Sequence, residues 1–152
     1  MITTIKDSSE KTLQEILEEM ELRKTNELFL LFPLGSQTDH LIAQHIAKQR
    51  VFCLPVDPNK ITAGDVLKLK PKGIFLSGSP ASVYDGTVTF DKNIFTLGIP
   101  VLGICYGAQL MADHIGLTVE QAQLREYGTH AFEVSELGKI SPLLKNIPHK
   151  LM

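Results

Sequence analysis

Gly103-Ile104-Cys105-Tyr106-Gly107 sets a cysteine between two glycines, each two residues away. A thiol kept for packing has no need of a glycine on each side. The spacing is that of a nucleophile elbow, a sharp strand-to-helix turn, with Cys where many hydrolases carry Ser. Small residues on both sides let the strand and the helix approach without clashes. The turn places the sulfur at a helix N-terminus, where the helix dipole and outward-pointing backbone N–H groups favour the thiolate, the attacking form. The N–H of Tyr106 would then point at the oxygen of a carbonyl under attack, as one half of an oxyanion hole. The candidate for the other half is the turn "LSGSPASVYD", Leu76 to Asp85. Gly78 and Ser79 can direct a backbone N–H toward the site, and Pro80 fixes the exit. Gln109 follows Cys105 by four residues, one helical turn on and on the same face, where its amide can hold a polar substrate group.

Other reactive side chains carry weaker patterns. A cysteine after a strand is most often a small core residue. The flanking glycines and the second turn at Gly78 weigh against that reading for Cys105. Nothing weighs against it for Cys53, inside the apolar run "VFCLPV". His40 and His45 are five residues apart and share a helical face poorly, so no metal site is expected there. His114 and His130 read as surface or satisfied core histidines rather than ligands. There is no C-x-x-C spacing, and no metal is expected.

The elements that must position Cys105 follow from hydrophobic pattern. "ELFLLF", "VFCLPV", "KGIFLSG" and "IPVLGI" are nearly continuous apolar runs, as strands buried on both faces require. Between them, "SQTDHLIAQHIAKQR" presents Leu41, Ile42, His45 and Ile46 at helical spacing, "TAGDVLKLK" reads as a short helix, and "TFDKNIFTLG" as a helical or irregular crossover. A helix from Tyr106 to about Ile115 follows the fourth run. Strands alternating with helices predict an α/β fold, a parallel sheet covered on both faces, with ligands at the carboxyl ends of its strands. Beyond Gly116, "HAFEVSEL" alternates and suits an antiparallel edge addition. Residues 1–26 stand apart as a charge-rich amphipathic helical extension, with Leu13, Ile16, Leu17 and Met20 at helical spacing, that covers part of the body or a partner. Residues 27–152 form the main domain.

Composition bounds the function. The chain has 152 residues, enough for one compact domain, with 43% hydrophobic and 21% charged residues. The formal net charge of −2 and the lack of a basic run argue against nucleic-acid binding driven by positive charge. No apolar run is long enough to span a membrane, and the N-terminus lacks the order of a signal peptide. Two cysteines suggest no disulfide framework, so a reducing cytoplasm is expected.

"PKGIFLSGSPASVYD", "GIPVLGICYGAQLMADHIG" and "REYG" at Arg125 to Gly128 resemble the class I glutamine amidotransferase domain of GMP synthase, and "FPLGSQTDHLIAQHI" resembles its first strand and helix. The resemblance runs from about Leu28 to Pro148. It implies a flavodoxin-like amidotransferase fold. It implies that Cys105 attacks the side-chain amide of glutamine and forms a glutamyl thioester with release of ammonia. Tyr106 and Ser79 would supply oxyanion N–H groups, and Gly78 and Gln109 would line the glutamine site. The ammonia would pass to an ATP-pyrophosphatase or synthetase domain or subunit that aminates XMP to GMP. This chain would hold no cofactor of its own, since ATP and Mg belong to that partner.

Three departures from the family pattern stand out. Ser79 replaces a usual Gly, and Pro33 stands in "LFPLGSQ" where the family has an acidic residue. The segment carrying the family's catalytic His and Glu falls beyond Met152, and neither His130 nor His149 matches that histidine. The expectation is a C-terminally incomplete domain. The function that the resemblance implies is that of the glutaminase part of a GMP synthase. The alternative is a truncated, catalytically impaired interaction module. A cysteine hydrolase of a γ-glutamyl bond on a similar fold is a further alternative, which "REYG" and "PASVYD" weigh against.

Overall fold

The structure, a computed structural model, describes residues 13–22, 27–80, 88–120, 131–145, 147–148 and 150–151. These fall into two compact units, Met1–Val119 and Glu120–Met152.

The first unit holds a four-stranded sheet made from the four apolar runs. β1 (Leu28–Phe32), β2 (Phe52–Pro55), β3 (Gly73–Leu76) and β4 (Val101–Gly103) are all parallel, in the order β2-β1-β3-β4. This is the flavodoxin-like winding, which reverses between β1 and β3 and leaves a crevice at their carboxyl ends. Leu30 lies opposite Leu54 on one side and Ile74 on the other. Alternation along β1 sorts its side chains between two faces. Leu28, Leu30 and Phe32 join Leu54, Ile74, Leu76, Val66, Ile94, Tyr106 and Leu110 in the larger core. Leu31 joins Cys53 and Ala43 in the smaller one.

The helices sit in the sequence gaps that predicted them. α1 (Leu13–Leu22) lies against α3 (Ala63–Leu69), with Ile16 buried in the larger core, Leu13 and Met20 packed against it, and Leu22 exposed. α2 (Asp39–Lys48) covers the smaller core through Ala43, Ile42 and Ile46. Leu41 and His45 are exposed, so the packed face is narrower than the spacing of apolar residues suggests, and the His45 ring Nδ1 instead meets the Leu41 carbonyl at 2.7 Å. α3 begins on a capping box. The Asp65 N–H donates to the Thr62 hydroxyl and the Asp65 carboxylate accepts from the Thr62 N–H. The crossover into β4 is a 3₁₀ turn at Lys92–Thr96. Asp91 starts it by accepting from Asn93 N–H, and its other oxygen accepts from Ala63 N–H at the head of α3. These bonds hold the Asp91 carboxyl below the usual range. α4 (Tyr106–His114) follows β4 directly.

In the second unit, β5 (Phe132–Glu133) pairs antiparallel with β6 (Lys150–Leu151) in a two-stranded sheet of its own. The alternating segment therefore finds its partner near the chain's end and not on the edge of the parallel sheet. A short α5 (Glu136–Lys139), capped by the Ser135 hydroxyl, and a 3₁₀ turn at Pro142–Leu144 lie between them. Among the described residues, no helix is long and apolar enough to cross a membrane.

Candidate active site

Cys105 joins β4 to α4 and is the N-cap of that helix, with φ 51° and ψ −112°. Among the described residues only Arg50, Lys70 and Cys105 combine a side chain with a positive φ. Arg50 and Lys70 follow helices. Cys105 lies between a strand and a helix, where the strain raises its side chain out of the turn. Its side chain is exposed, whereas Cys53 is only 9% exposed in β2. Burial pushes the Cys53 thiol up to about 12, so at neutral pH it remains a protonated core group.

The two flanking glycines are required by close approach. A Cβ at Gly107 would strike the Leu76 carbonyl oxygen and lie 2.7 Å from the Leu76 Cβ. A Cβ at Gly103 would strike the Ala108 N–H nitrogen and lie 2.6 Å from the Ala108 Cα. α4 thus rests directly on the backbone of β3 and β4. The Gly107 N–H donates to both Ser77 C=O (3.1 Å) and Ile104 C=O (3.0 Å), and the Ile104 N–H donates to Leu76 C=O (2.9 Å). The first turn of the helix is tied to the end of β3.

These ties bring the β3 loop to the thiol. A Cβ built on Gly78 would be 3.6 Å from the Cys105 Cβ and 3.7 Å from the Ser36 Cβ. One built on Gly35 would be 3.7 Å from the Ser79 Oγ. The loops after β1 and β3 and the turn after β4 therefore converge at the carboxyl edge of the sheet. Cys105, Gly78 and the neighbouring Ser79 share this place. Ser79 is half-buried and has no positive φ, so a side chain is tolerated where a glycine is usual in the family it resembles. Tyr106 is 3% exposed and belongs to the larger core, and its backbone N–H lies in the first turn of α4. Gln109 is exposed one turn along, and its N–H donates to the Cys105 carbonyl (3.2 Å).

Sequence reasoning missed Ser77 and Asp39. Ser77 is fully buried at the end of β3. Its hydroxyl accepts from Leu34 N–H (2.8 Å) and donates to Gly78 C=O (3.1 Å). Asp39, the first residue of α2, lies beside it. Burial raises the Asp39 carboxyl above its ordinary value, and the nearby Ser77 hydroxyl partly opposes that rise. A buried polar residue straight after an apolar strand is the available signal for Ser77. Its partner Leu34 lies 43 residues away, which no local pattern announces.

Among the described residues the histidines give no ligand set. His114 stacks on Phe95 with ring centroids 4.5 Å apart, and His40 is exposed. His130, His149 and the "REYG" motif lie outside the described residues, as do residues 81–87 of the β3 loop. Among the described residues no group of His, Cys, Asp and Glu could hold a metal. A cavity of about 500 Å³ lined by Phe95, Ile99, Val101, Met111, His114 and Leu117, among others, does not include Cys105, Gly78 or Ser79.

Comparison with known proteins bears on this arrangement. A family model, glutamine amidotransferase class-I, matches residues 30–151. The chain is 48% identical over 122 residues to a GMP synthase (glutamine-hydrolyzing) of Campylobacter jejuni subsp. doylei, covering 80% of this chain and 23% of that protein. It is 40% identical over 130 residues to the protein of the same name from Bacillus mycoides, covering 85% of this chain and 25% of the relative. The chain thus spans about a quarter of the length of the curated relatives it matches. The solved structure of a proposed GMP synthase subunit from Thermoplasma acidophilum superposes with a TM-score of 0.68 over 82% of this chain and 61% of that one. At 24% identity it speaks for the fold alone.

Proposed function

The chain belongs to the class-I glutamine amidotransferase family, and from that premise we propose that it is the glutamine-hydrolysing part of a GMP synthase, with Cys105 as its nucleophile. The observation that carries the reading is the strained, exposed Cys105 at the head of α4, next to the Gly78 turn. The thiolate attacks the side-chain amide carbon of glutamine. The C=O π electrons move to oxygen, and the resulting oxyanion accepts hydrogen bonds from the N–H groups of Tyr106 and Ser79. Collapse breaks the C–N bond. The nitrogen takes a proton and leaves as ammonia, and water then hydrolyses the thioester to glutamate. Gly78 shapes the wall nearest the thiol, and Gln109 holds the polar end of the substrate. Proton transfer needs a positioned base, which in the family pattern is a His supported by a Glu.

The ammonia serves a synthetase domain or subunit, which binds ATP and Mg and aminates XMP to GMP. The setting for this reaction is the cytoplasm. In this reading residues 1–26 are an extension to a catalytic domain of residues 27–152. The test is ammonia release from glutamine, measured for the chain alone and together with an ATP-pyrophosphatase partner. Release that disappears with Cys105→Ala supports the proposal. Release that survives the substitution, or no release in either setting, overturns it.

A further inference from the structure

The Gly78–Ser79 peptide carries the proposed oxyanion donor, and what fixes its orientation is visible. A trans peptide points its C=O and its N–H in opposite directions. The Gly78 carbonyl and the Ser79 N–H belong to the same plane, so whatever holds the carbonyl aims the N–H. Glycine gives the chain wide freedom to rotate that plane. Rotation would turn the carbonyl, with its negative end, toward a developing oxyanion.

We infer that Ser77 is a positioning residue for the oxyanion hole, its hydroxyl holding the Gly78 carbonyl so that the Ser79 N–H on the other side of that peptide faces the reaction at Cys105. The inference rests on Ser79 acting as an oxyanion donor. Three bonds give Ser77 the rigidity for this task. Its N–H donates to Phe32 C=O (3.1 Å), its C=O accepts from Gly107 N–H (3.1 Å), and its Oγ accepts from Leu34 N–H (2.8 Å). Its oxygen accepts from Leu34, and the hydroxyl's single hydrogen goes to Gly78 C=O at 3.1 Å. One fully buried residue thus joins the β1 loop and the oxyanion peptide through its hydroxyl, and the first turn of the nucleophile's helix through its backbone carbonyl. Asp39 stands beside it as a competing acceptor for that hydrogen.

The test is labelling of Cys105 by two reagents, followed by peptide mapping. One is the chloroketone analogue of glutamine, whose carbonyl becomes tetrahedral on attack and uses the oxyanion hole. The other is a dipyridyl disulfide, which reports the thiolate and has no carbonyl. Loss of one directly bonded oxyanion donor lowers such chemistry by about 10²–10³-fold. A donor left in place but misdirected is expected to lower it by about tenfold. Ser77→Ala should therefore slow the chloroketone about tenfold and leave the disulfide reaction within about twofold. Ser77→Thr, which keeps the hydroxyl, should restore the chloroketone rate. Equal rates in Ser77→Ala and the unsubstituted chain, or a parallel fall in both reactions, overturn the inference, because a merely structural serine would move the two together. Should Ser77→Ala fail to fold, Ser77→Cys, of similar volume and a weak donor, decides by the same ratio. If the chloroketone does not label Cys105 in the unsubstituted chain, the reading of the site itself fails, and the inference with it.

Discussion

Access and ionisation govern thiol reactivity, and both count against Cys53. Cys105 is exposed at a helix N-terminus, while Cys53 is packed with Leu31 and Ala43 under α2, its thiol pushed up to about 12 by burial. Only the thiolate attacks, so at pH 8 the folded protein should be alkylated at Cys105 at least about tenfold faster than at Cys53. The Cys53 reaction should accelerate only as the pH climbs toward 12 or the fold opens. Site-resolved mass spectrometry across pH checks this, and equal rates at the two sites would remove Cys105 from the mechanism. Both positions were legible in the sequence, the exposed turn from its glycines and the buried site from its strand. Ser77 was not, because its meaning lies in partners that only the folded chain assembles, Leu34 from the β1 loop and Gly107 from α4.

At the scale of elements, the strands were readable because burial on both faces leaves unbroken apolar runs, and α3 and α4 because a capping Thr62 and a glycine-flanked cysteine mark their starts. The packed face of α2 was less so. Periodicity offered Leu41 and His45 equally with Ile42 and Ile46, and only the place of β2 decides between them. The pairing of β5 was also hidden, since alternation shows that a strand has two faces and not which strand lies beside it. The elbow itself makes a prediction of sign. Helix propensity alone favours replacing a helical glycine by alanine, by up to about 1 kcal/mol. In α3, Gly64 has room, its added Cβ meeting only Thr62 Oγ1 at 3.6 Å, so Gly64→Ala should leave Tm unchanged or raise it. In α4, the added methyl at Gly107 runs into the backbone and side chain of Leu76, and overpacking of this kind costs about 1–3 kcal/mol. Gly107→Ala should therefore lower Tm and also slow alkylation of Cys105, and Gly107→Val should do so more strongly. A Gly107→Ala protein as stable and as reactive as its parent would refute the close-packed elbow.

For the whole molecule, stability should be unevenly distributed, and the sheet says where it is greatest. β1 and β3 each have a neighbour on both sides, and Leu28, Leu30, Leu31, Phe32, Ile74 and Leu76 are all almost wholly excluded from solvent. Opening either strand exposes the core on both faces and breaks two ladders at once, which amounts to global unfolding. β4 is paired on one side only among the described residues, and Leu102 in it is 36% exposed. The second unit has less to hold it. Among those of its residues whose burial is described, Val134 alone is buried, while Leu137, Ile140 and Leu143 are exposed, and its sheet has two strands of two residues each. A two-stranded ribbon is at best marginally stable by itself. Native-state hydrogen exchange should therefore rank the amides. Those of β1 and β3 should exchange slowest, at the rate set by global unfolding. The outer amides of β4 should follow. Those of 132–145 should exchange roughly a hundredfold or more faster than the first group, through local opening that leaves the sheet intact. The consequence for the site is direct, because Ser77, Gly78 and Cys105 are anchored to β3 and β4. Denaturant just below the main transition should therefore release 132–145 while Cys105 keeps its labelling rate. Protection of 132–145 equal to that of β1 would show that the two units open as one, and the separate stability assigned to the parallel sheet would be wrong.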